Sequence, residues 1–232
     1  MEFKVIGEYG RYPAYNKATN CYLIKTDNGK NILIDLGSGS LSLLQKYVDI
    51  SKIDAVIITH LHFDHACDLG VLSYSVGYLG LNKIKVYMPA TPELIKNAFD
   101  SSKFDVQIID EDLQFSVDNV NFSFAYSPHP VETYSVIMKY NDKKIVYTSD
   151  CSKKEVIAKN TLGADIVIGD ACILHADYKS NSPHVSVKDL AESVPENCKL
   201  YLAHLTCGQE KEILQEGIKH HKNTELVKDF LI

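Results

Sequence analysis

Four side chains able to ligate divalent metals fall within six residues: His60, His62, Asp64 and His65. They follow the apolar run Ala55-Val56-Ile57-Ile58, with Thr59 between. A short apolar run bounded by polar residues reads as a strand in a sheet core. The ligands then lie on the loop leaving the C-terminal edge of that strand, where α/β folds place their chemistry. Imidazole combined with carboxylate suits zinc, and also manganese or iron, better than calcium or magnesium. The alternate residues His60 and His62 can face one metal while Asp64 and His65 turn toward a second.

His60-x-His62-x-Asp64-His65 after an apolar strand resembles the signature of the metallo-β-lactamase-fold hydrolases. In that family a lone His, a bridging Asp and a last His after a strand follow. The matching positions are His129 in Tyr126-Ser127-Pro128-His129-Pro130, Asp150 in Val146-Tyr147-Thr148-Ser149-Asp150, and His204 in Leu200-Tyr201-Leu202-Ala203-His204. The order is that of the family, and the resemblance runs from about Met1 to about residue 205. It implies an α/β fold, a four-layer αββα sandwich of two mixed sheets flanked by helices. It also implies two divalent ions, zinc first, with manganese or iron as alternatives. His60, His62 and His129 would bind one ion, Asp64, His65 and His204 the other, and Asp150 would bridge them. Two cations lower the pKa of a shared water toward neutrality, so a bridging hydroxide becomes the nucleophile. In the family the Asp ending the strand before the first helix hydrogen-bonds a ligand His, which makes Asp35 the partner expected to fix its tautomer.

His184, in Pro183-His184-Val185-Ser186, stands just before a helix that Ser186 can cap. The segment is similar to the His-x-Ser/Thr motif of the ribonuclease Z and phosphodiesterase branches, in which that His approaches the scissile phosphate. The resemblance therefore implies a phosphodiesterase, with Asp64 and His184 taking part in catalysis. A lactonase, thioesterase or β-lactamase-type hydrolase on the same site is the alternative. Ribonuclease Z enzymes usually carry a long arm between the lone His and the bridging Asp. Here only Pro130 to Ser149 intervene, and a hairpin around Asn141-Asp142 uses nearly all of them. With a net charge of −6, this favours a small or cyclic phosphodiester over precursor transfer RNA. Diiron flavoproteins of this fold usually have Glu where His62 stands, together with a flavin domain, and non-catalytic members usually lose ligands. His175 fits pocket or surface, and His220 and His221 read as solvated.

The elements that must position these residues follow from periodicity. Strands are expected at Phe3–Ile6, Thr19–Lys25 and Lys30–Asp35, with Asp27-Asn28-Gly29 as a hairpin turn. Ser40 can cap a helix over 41–48, and a second, Tyr-rich helix over 69–79 would lie under or beside the pocket. Further strands are expected over 83–88, 105–110, 112–117, 120–126, 134–140, 143–148, 164–169 and 199–203. Helices are expected over 91–99, 153–160, 187–194 and 210–219, the last completing the chain. No biased linker or repeat interrupts the 232 residues, so one domain over 1–232 is the economical reading. The acidic balance argues against a broad nucleic-acid surface, which would show a basic stripe. The N-terminus lacks a signal-peptide pattern and no apolar run approaches the ~20 residues that span a bilayer, so a cytoplasmic protein without a membrane partner is expected. Six scattered cysteines, with no CxxC, read as free thiols. Cys151, beside Asp150, reads as a core thiol pointing away from the site. A homodimer is expected only because symmetric pairs are common.

Overall fold

The computed structural model describes residues 1–99 and 102–230. Its first sheet runs β1 (Glu2–Gly7), β2 (Cys21–Lys25), β3 (Asn31–Ile34), β4 (Ile53–Ile57), β5 (Ile84–Met88) and β6 (Phe104–Ile108), neighbours in that order. β1, β2 and β3 pair antiparallel, and β3 to β6 are parallel. Three helices join these strands: α1 (Ser40–Leu44), α2 (Phe63–Tyr78) and α3 (Glu93–Ala98). The second sheet begins as an antiparallel meander of β7 (Gln114–Val117), β8 (Val120–Tyr126), β9 (Tyr134–Tyr140) and β10 (Lys143–Tyr147). It continues in parallel through β11 (Ile166–Asp170), β12 (Lys199–Ala203) and β13 (Thr224–Leu226), with α4 (Lys154–Thr161), α5 (Val187–Ser193) and α6 (Glu210–His220) as crossovers.

Side-chain alternation along the strands explains the layers. Tyr22, Ile24, Ile32, Ile34 and Ile57 leave the first sheet on one face, to meet Phe122, Val136, Met138, Tyr147 and Ile168 of the second. From the other face of the first sheet, Leu23, Leu33, Val56 and Val86 pack on Leu41 and Leu44 of α1 and on Leu69, Leu72 and Val76 of α2. Val146, Val167, Leu200 and Leu202 do the same for the second sheet, against Ile157, Leu190 and Ile213 of α4, α5 and α6. The result is the expected αββα sandwich. No helix among the described residues is long and apolar enough to cross a membrane.

Several local expectations change. α1 is a short helix preceded by Gly39 in the left-handed region, and Ser40 does not cap it; its hydroxyl donates to the Thr19 carbonyl 3.1 Å away. The Tyr-rich face of α2 points outward: Phe63, Val71, Tyr74 and Tyr78 are exposed on one stripe, opposite the buried Leu69, Leu72 and Val76. β13 is a strand that sequence reading misses, because three residues are too few to show a period and only pairing with β12 defines them. His221 is buried, not solvated: its ring sits between Thr224 Oγ1 and the Pro195 carbonyl, each 3.2 Å away. His220 pairs with Glu192 at the surface at 3.0 Å. The six cysteines are free, and Cys151 is buried in the layer beneath α4 and α5 as expected.

The loop after β3 fixes the start of α2. Leu36 donates to the His65 carbonyl at 2.7 Å and accepts from Asp68 at 3.0 Å, which stitches the loop to the first turns of the helix. Gly37 lies so close that a Cβ there would stand 2.0 Å from the Asp64 carbonyl oxygen. A Gly37→Ala change should therefore cost at least about 2 kcal/mol in urea unfolding, since backbone on both sides must move. Gly70→Ala, inside α2 with its nearest neighbours 3.9 Å away, should instead stabilise by up to about 1 kcal/mol. Equal effects from the two would show that Gly37 has no special place.

Candidate metal centre

Every candidate ligand follows the C-terminal end of a strand, and the strands come from both sheets. β4 leads through Thr59 and His60 to His62, after which α2 begins with Asp64 and His65 in its first turn. An acidic side chain at that position is also favoured by the helix dipole. β8 leads to His129, β10 to Asp150 and β12 to His204. Asp35, Ser149 and His204 all adopt positive φ (56°, 53° and 54°), a left-handed conformation that costs energy outside glycine and bends the chain sharply as it leaves the strand.

The seven residues converge in two sets that share one carboxylate. His60 Nε2 and His129 Nε2 each lie 3.1 Å from His62 Nδ1, and both are 3.6 Å from Asp150 Oδ2. On the other side His65 Nε2 and His204 Nε2 lie 3.4 and 3.6 Å from Asp150 Oδ1. Asp64 Oδ2 joins that set, 3.1 Å from His204 Nε2 and 3.8 Å from His65 Nε2. Donors about 2.1 Å from a tetrahedral cation stand about 3.4 Å apart, so both sets have the spacing of a ligand shell. The grouping is the one the resemblance implied.

Four of the five candidate imidazoles, all but His62, are held from behind. His65 Nδ1 meets Asp35 Oδ2 at 2.8 Å, as anticipated for Asp35. Asp35 also accepts from the Thr59 backbone and hydroxyl and from Tyr147 OH at 3.1 Å. Thr59 and Ser149 hydroxyls flank His60 Nδ1 at 3.3 and 3.4 Å, and the Pro183 carbonyl faces His129 Nδ1 at 3.0 Å. His204 Nδ1 meets Asp170 Oδ1 at 3.0 Å, and His184 Nδ1 meets Asp170 Oδ2 at 2.7 Å. Asp170 therefore orients both a candidate ligand and the candidate catalytic histidine. Sequence reading missed it, although an Asp closing an apolar strand is the pattern that marks Asp35. His184 is not a loosely held loop residue: its ring is buried, with centroids 5.2 and 5.3 Å from those of His129 and His204. Ser186 caps α5 as expected, accepting from the Asp189 backbone at 3.1 Å. His175 points elsewhere, half exposed, with Ser186 Oγ 3.0 Å from Nδ1 and the ring stacked on Tyr178.

The charges of the centre call for cations. Burial disfavours an ionised carboxylate, yet His204, His65 and His60 hold Asp150 well below the usual range. Burial likewise opposes ionisation of Asp170, and His184 and His204 overcome it. Burial would also depress His65, but Asp150 and Asp35 lift it to about 10. His60 follows burial and the neighbouring His65 charge, and is held well below its ordinary value. Protons on the rings thus balance buried carboxylates, a service that metal ions perform at once for all of them. Asp150 Oδ1 is buried without a hydrogen-bond partner, an orphaned acceptor aimed at the second set of donors. The residues fit two divalent ions.

Arg11, His62, Asp64, His129, Asp150, His184 and His204 line a cavity of about 210 Å³ over the centre. The family model described as the metallo-beta-lactamase superfamily matches residues 14–193. The chain belongs to that superfamily. Its coarse activity is accordingly metal-dependent hydrolysis. It is 31% identical over 188 residues to the probable metallo-hydrolase YhfI of Bacillus subtilis, covering 78% of this chain and 76% of YhfI. The crystal structure of YhfI superposes with a TM-score of 0.88 at 26% identity, over 96% of this chain and 93% of that one. Ribonuclease Z of Borrelia garinii is 30% identical over 150 residues, which are 64% of this chain but only 44% of that protein. A diphosphatase from the PhnP family shares the fold, with a TM-score of 0.73 at 19% identity over 99% of this chain and 96% of its own.

Asp170→Asn should weaken metal affinity roughly 10–100-fold in chelator competition, since the candidate ligand His204 loses the carboxylate that sets its orientation. Unchanged affinity would remove Asp170 from the centre.

Proposed function

We propose that the chain is a phosphodiesterase acting on small or cyclic phosphodiesters with two divalent ions, zinc first, with manganese or iron served by the same donors. In this reading His60, His62 and His129 would hold one ion and Asp64, His65 and His204 the other, with Asp150 shared between the two sets. When bound, the pair supplies Lewis acidity toward a phosphoryl oxygen and a water acidified toward neutral pH. Asp64, fixed by the Arg11 backbone N–H at 2.8 Å, keeps its ionised oxygens at the rim of the cavity where the reacting group must sit.

The observation that carries the reading is the place of His184. It lines the cavity between His129 and His204, so it faces a group lying across both sets of donors. Asp170 takes Nδ1, which leaves Nε2 to meet a non-bridging phosphoryl oxygen or the departing oxygen. Burial lowers the pKa of this ring, and Asp170 outweighs it to raise it to about 11; cations alongside would oppose that pull. An acyl substrate has one non-bridging oxygen, the carbonyl, which a metal ion can take, whereas a phosphodiester has a second one left for His184. The likeness to ribonuclease Z supports phosphorus chemistry.

His184→Asn is the fitting test, because the amide can keep the contact to Asp170 that alanine would abandon inside the fold. Turnover of bis(p-nitrophenyl) phosphate should fall roughly 10²–10⁴-fold, mainly in kcat, with metal content nearly unchanged. A lactone, a thioester and nitrocefin, assayed beside it, should lose much less. Full phosphodiesterase activity in the variant would make His184 a bystander and return the acyl hydrolases to the front.

Size of substrate is a separate expectation. Between His129 and Asp150 the chain forms only the β9–β10 hairpin, with its turn at Asn141-Asp142, so no arm protrudes there to grip a folded RNA. Among the described residues no lysine lines the cavity, and Arg11 is its one basic side chain besides histidines. Precursor transfer RNA should be cleaved poorly relative to small diesters, and efficient, site-specific removal of its 3′ trailer at nanomolar enzyme would overturn this.

A further inference from the structure

Arg11 is the sole arginine of the 232 residues, and it lines the cavity above the centre. Its backbone is held on three sides. Gly10 donates to the Leu205 carbonyl at 3.0 Å, Arg11 donates to Asp64 Oδ2 at 2.8 Å, and Tyr12 donates to the Gly10 carbonyl at 2.6 Å. Gly10 is pressed so closely on His204 that a Cβ would stand 2.6 Å from its ring. Within this clamp Arg11 takes a φ of 59°, in the left-handed region. Of the other non-glycine residues with positive φ, Asn16, Asp35, Asp118 and Asn141 are of the Asn/Asp type that tolerates it, and Ser149 and His204 belong to the centre. Arg11 has neither excuse, so the strain marks a residue that the surrounding structure forces into position.

The guanidinium, by contrast, is left free. The ion pairs and side-chain hydrogen bonds among the described residues do not include it, although acidic residues outnumber basic ones 30 to 24. A pinned backbone on the cavity wall, carrying an unpaired, permanently charged and exposed fork, has the form of an anion receptor. Two bound cations would already answer the charge of the scissile phosphodiester. An additional fixed cation beside them is of use to a second anionic group on the same molecule. The cavity has room for a phosphodiester and one short charged neighbour.

We infer that Arg11 is a specificity residue that selects phosphodiesters carrying a second acidic group, phosphate or carboxylate, a few bonds from the scissile phosphorus. This rests on the phosphodiesterase reading, and its test separates the two. Three p-nitrophenyl phosphodiesters that differ only in the other ester group, methyl, 2-phosphoethyl and 2-carboxyethyl, are hydrolysed by the metal-loaded wild-type protein, Arg11→Gln and Arg11→Lys. Wild type should favour one or both acidic esters over the methyl ester by roughly 10–100-fold in kcat/KM, carried by KM. The ratio should collapse toward one in Arg11→Gln and be partly restored in Arg11→Lys, which keeps the charge but not the fork. The acidic group with the Arg11-dependent preference names the class. A preference that is absent, or equal in wild type and Arg11→Gln, overturns the inference while leaving the phosphodiesterase intact. Calorimetric binding of methyl 2-phosphoethyl phosphate and methyl 2-carboxyethyl phosphate, against dimethyl phosphate, gives a readout free of turnover. If all the p-nitrophenyl esters are inert yet Arg11→Gln weakens binding of an acidic probe tenfold or more, the anion receptor stands and the reaction assigned above falls.

Discussion

Asp150 is the constraint on which the rest of the molecule depends. It is buried at the junction of the two sheets, ionised, with each oxygen turned to a different set of imidazoles. A buried carboxylate survives only with compensating positive charge, and here that compensation comes from both sides. Its position fixes where His60, His62 and His129 can meet, and where Asp64, His65 and His204 can meet. A shift that repaired one set would spoil the other.

The fold meets that demand by bringing strand ends together from two sheets that share one apolar interior. β4 belongs to the first sheet, and β8, β10 and β12 to the second, so the sandwich must be packed before the donors can converge. Sharp backbone bends do the last part of the positioning. Asp35, Ser149 and His204 adopt strained conformations where the chain turns out of a strand and into the centre. The strain is tolerated because each is tied into the network: Asp35 through Thr59, His65 and Tyr147, Ser149 through Thr59, and His204 through Asp170.

Two aspartates, Asp35 and Asp170, stand behind the histidines on opposite sides of the centre. Asp35 serves His65 and the strand-end residue Thr59, linking the ligand loop to the core tyrosine Tyr147. Asp170 serves His204 and His184 together, so the orientation of a candidate metal-binding ring and of a ring that lines the cavity depend on one carboxylate. That shared support ties the placement of the two rings to a single side chain.

The amino-acid sequence by itself determined the candidate ligand set. His60, His62, Asp64 and His65 are close in the chain, and a strand-to-helix turn suffices to gather them, so local spacing carries the information. The later candidates His129, Asp150 and His204 were readable because each follows an apolar strand in the family's order. Most strands and helices were also legible, since burial on one face writes a period into the residues. What only the tertiary structure decided lies where the partner is distant in sequence. Asp170 looks like any strand-end aspartate until His184 and His204 arrive beside it from 14 and 34 residues away. His221 reads as surface until the Pro195 carbonyl and Thr224 enclose it. β13 exists only through its pairing with β12. Arg11, in a polar loop with no periodicity, gains its meaning from the contacts of Gly10 with His204 and of its own N–H with Asp64. Local patterns record what a residue does with its neighbours in the chain; hydrogen bonds between strand ends of different sheets leave no such record.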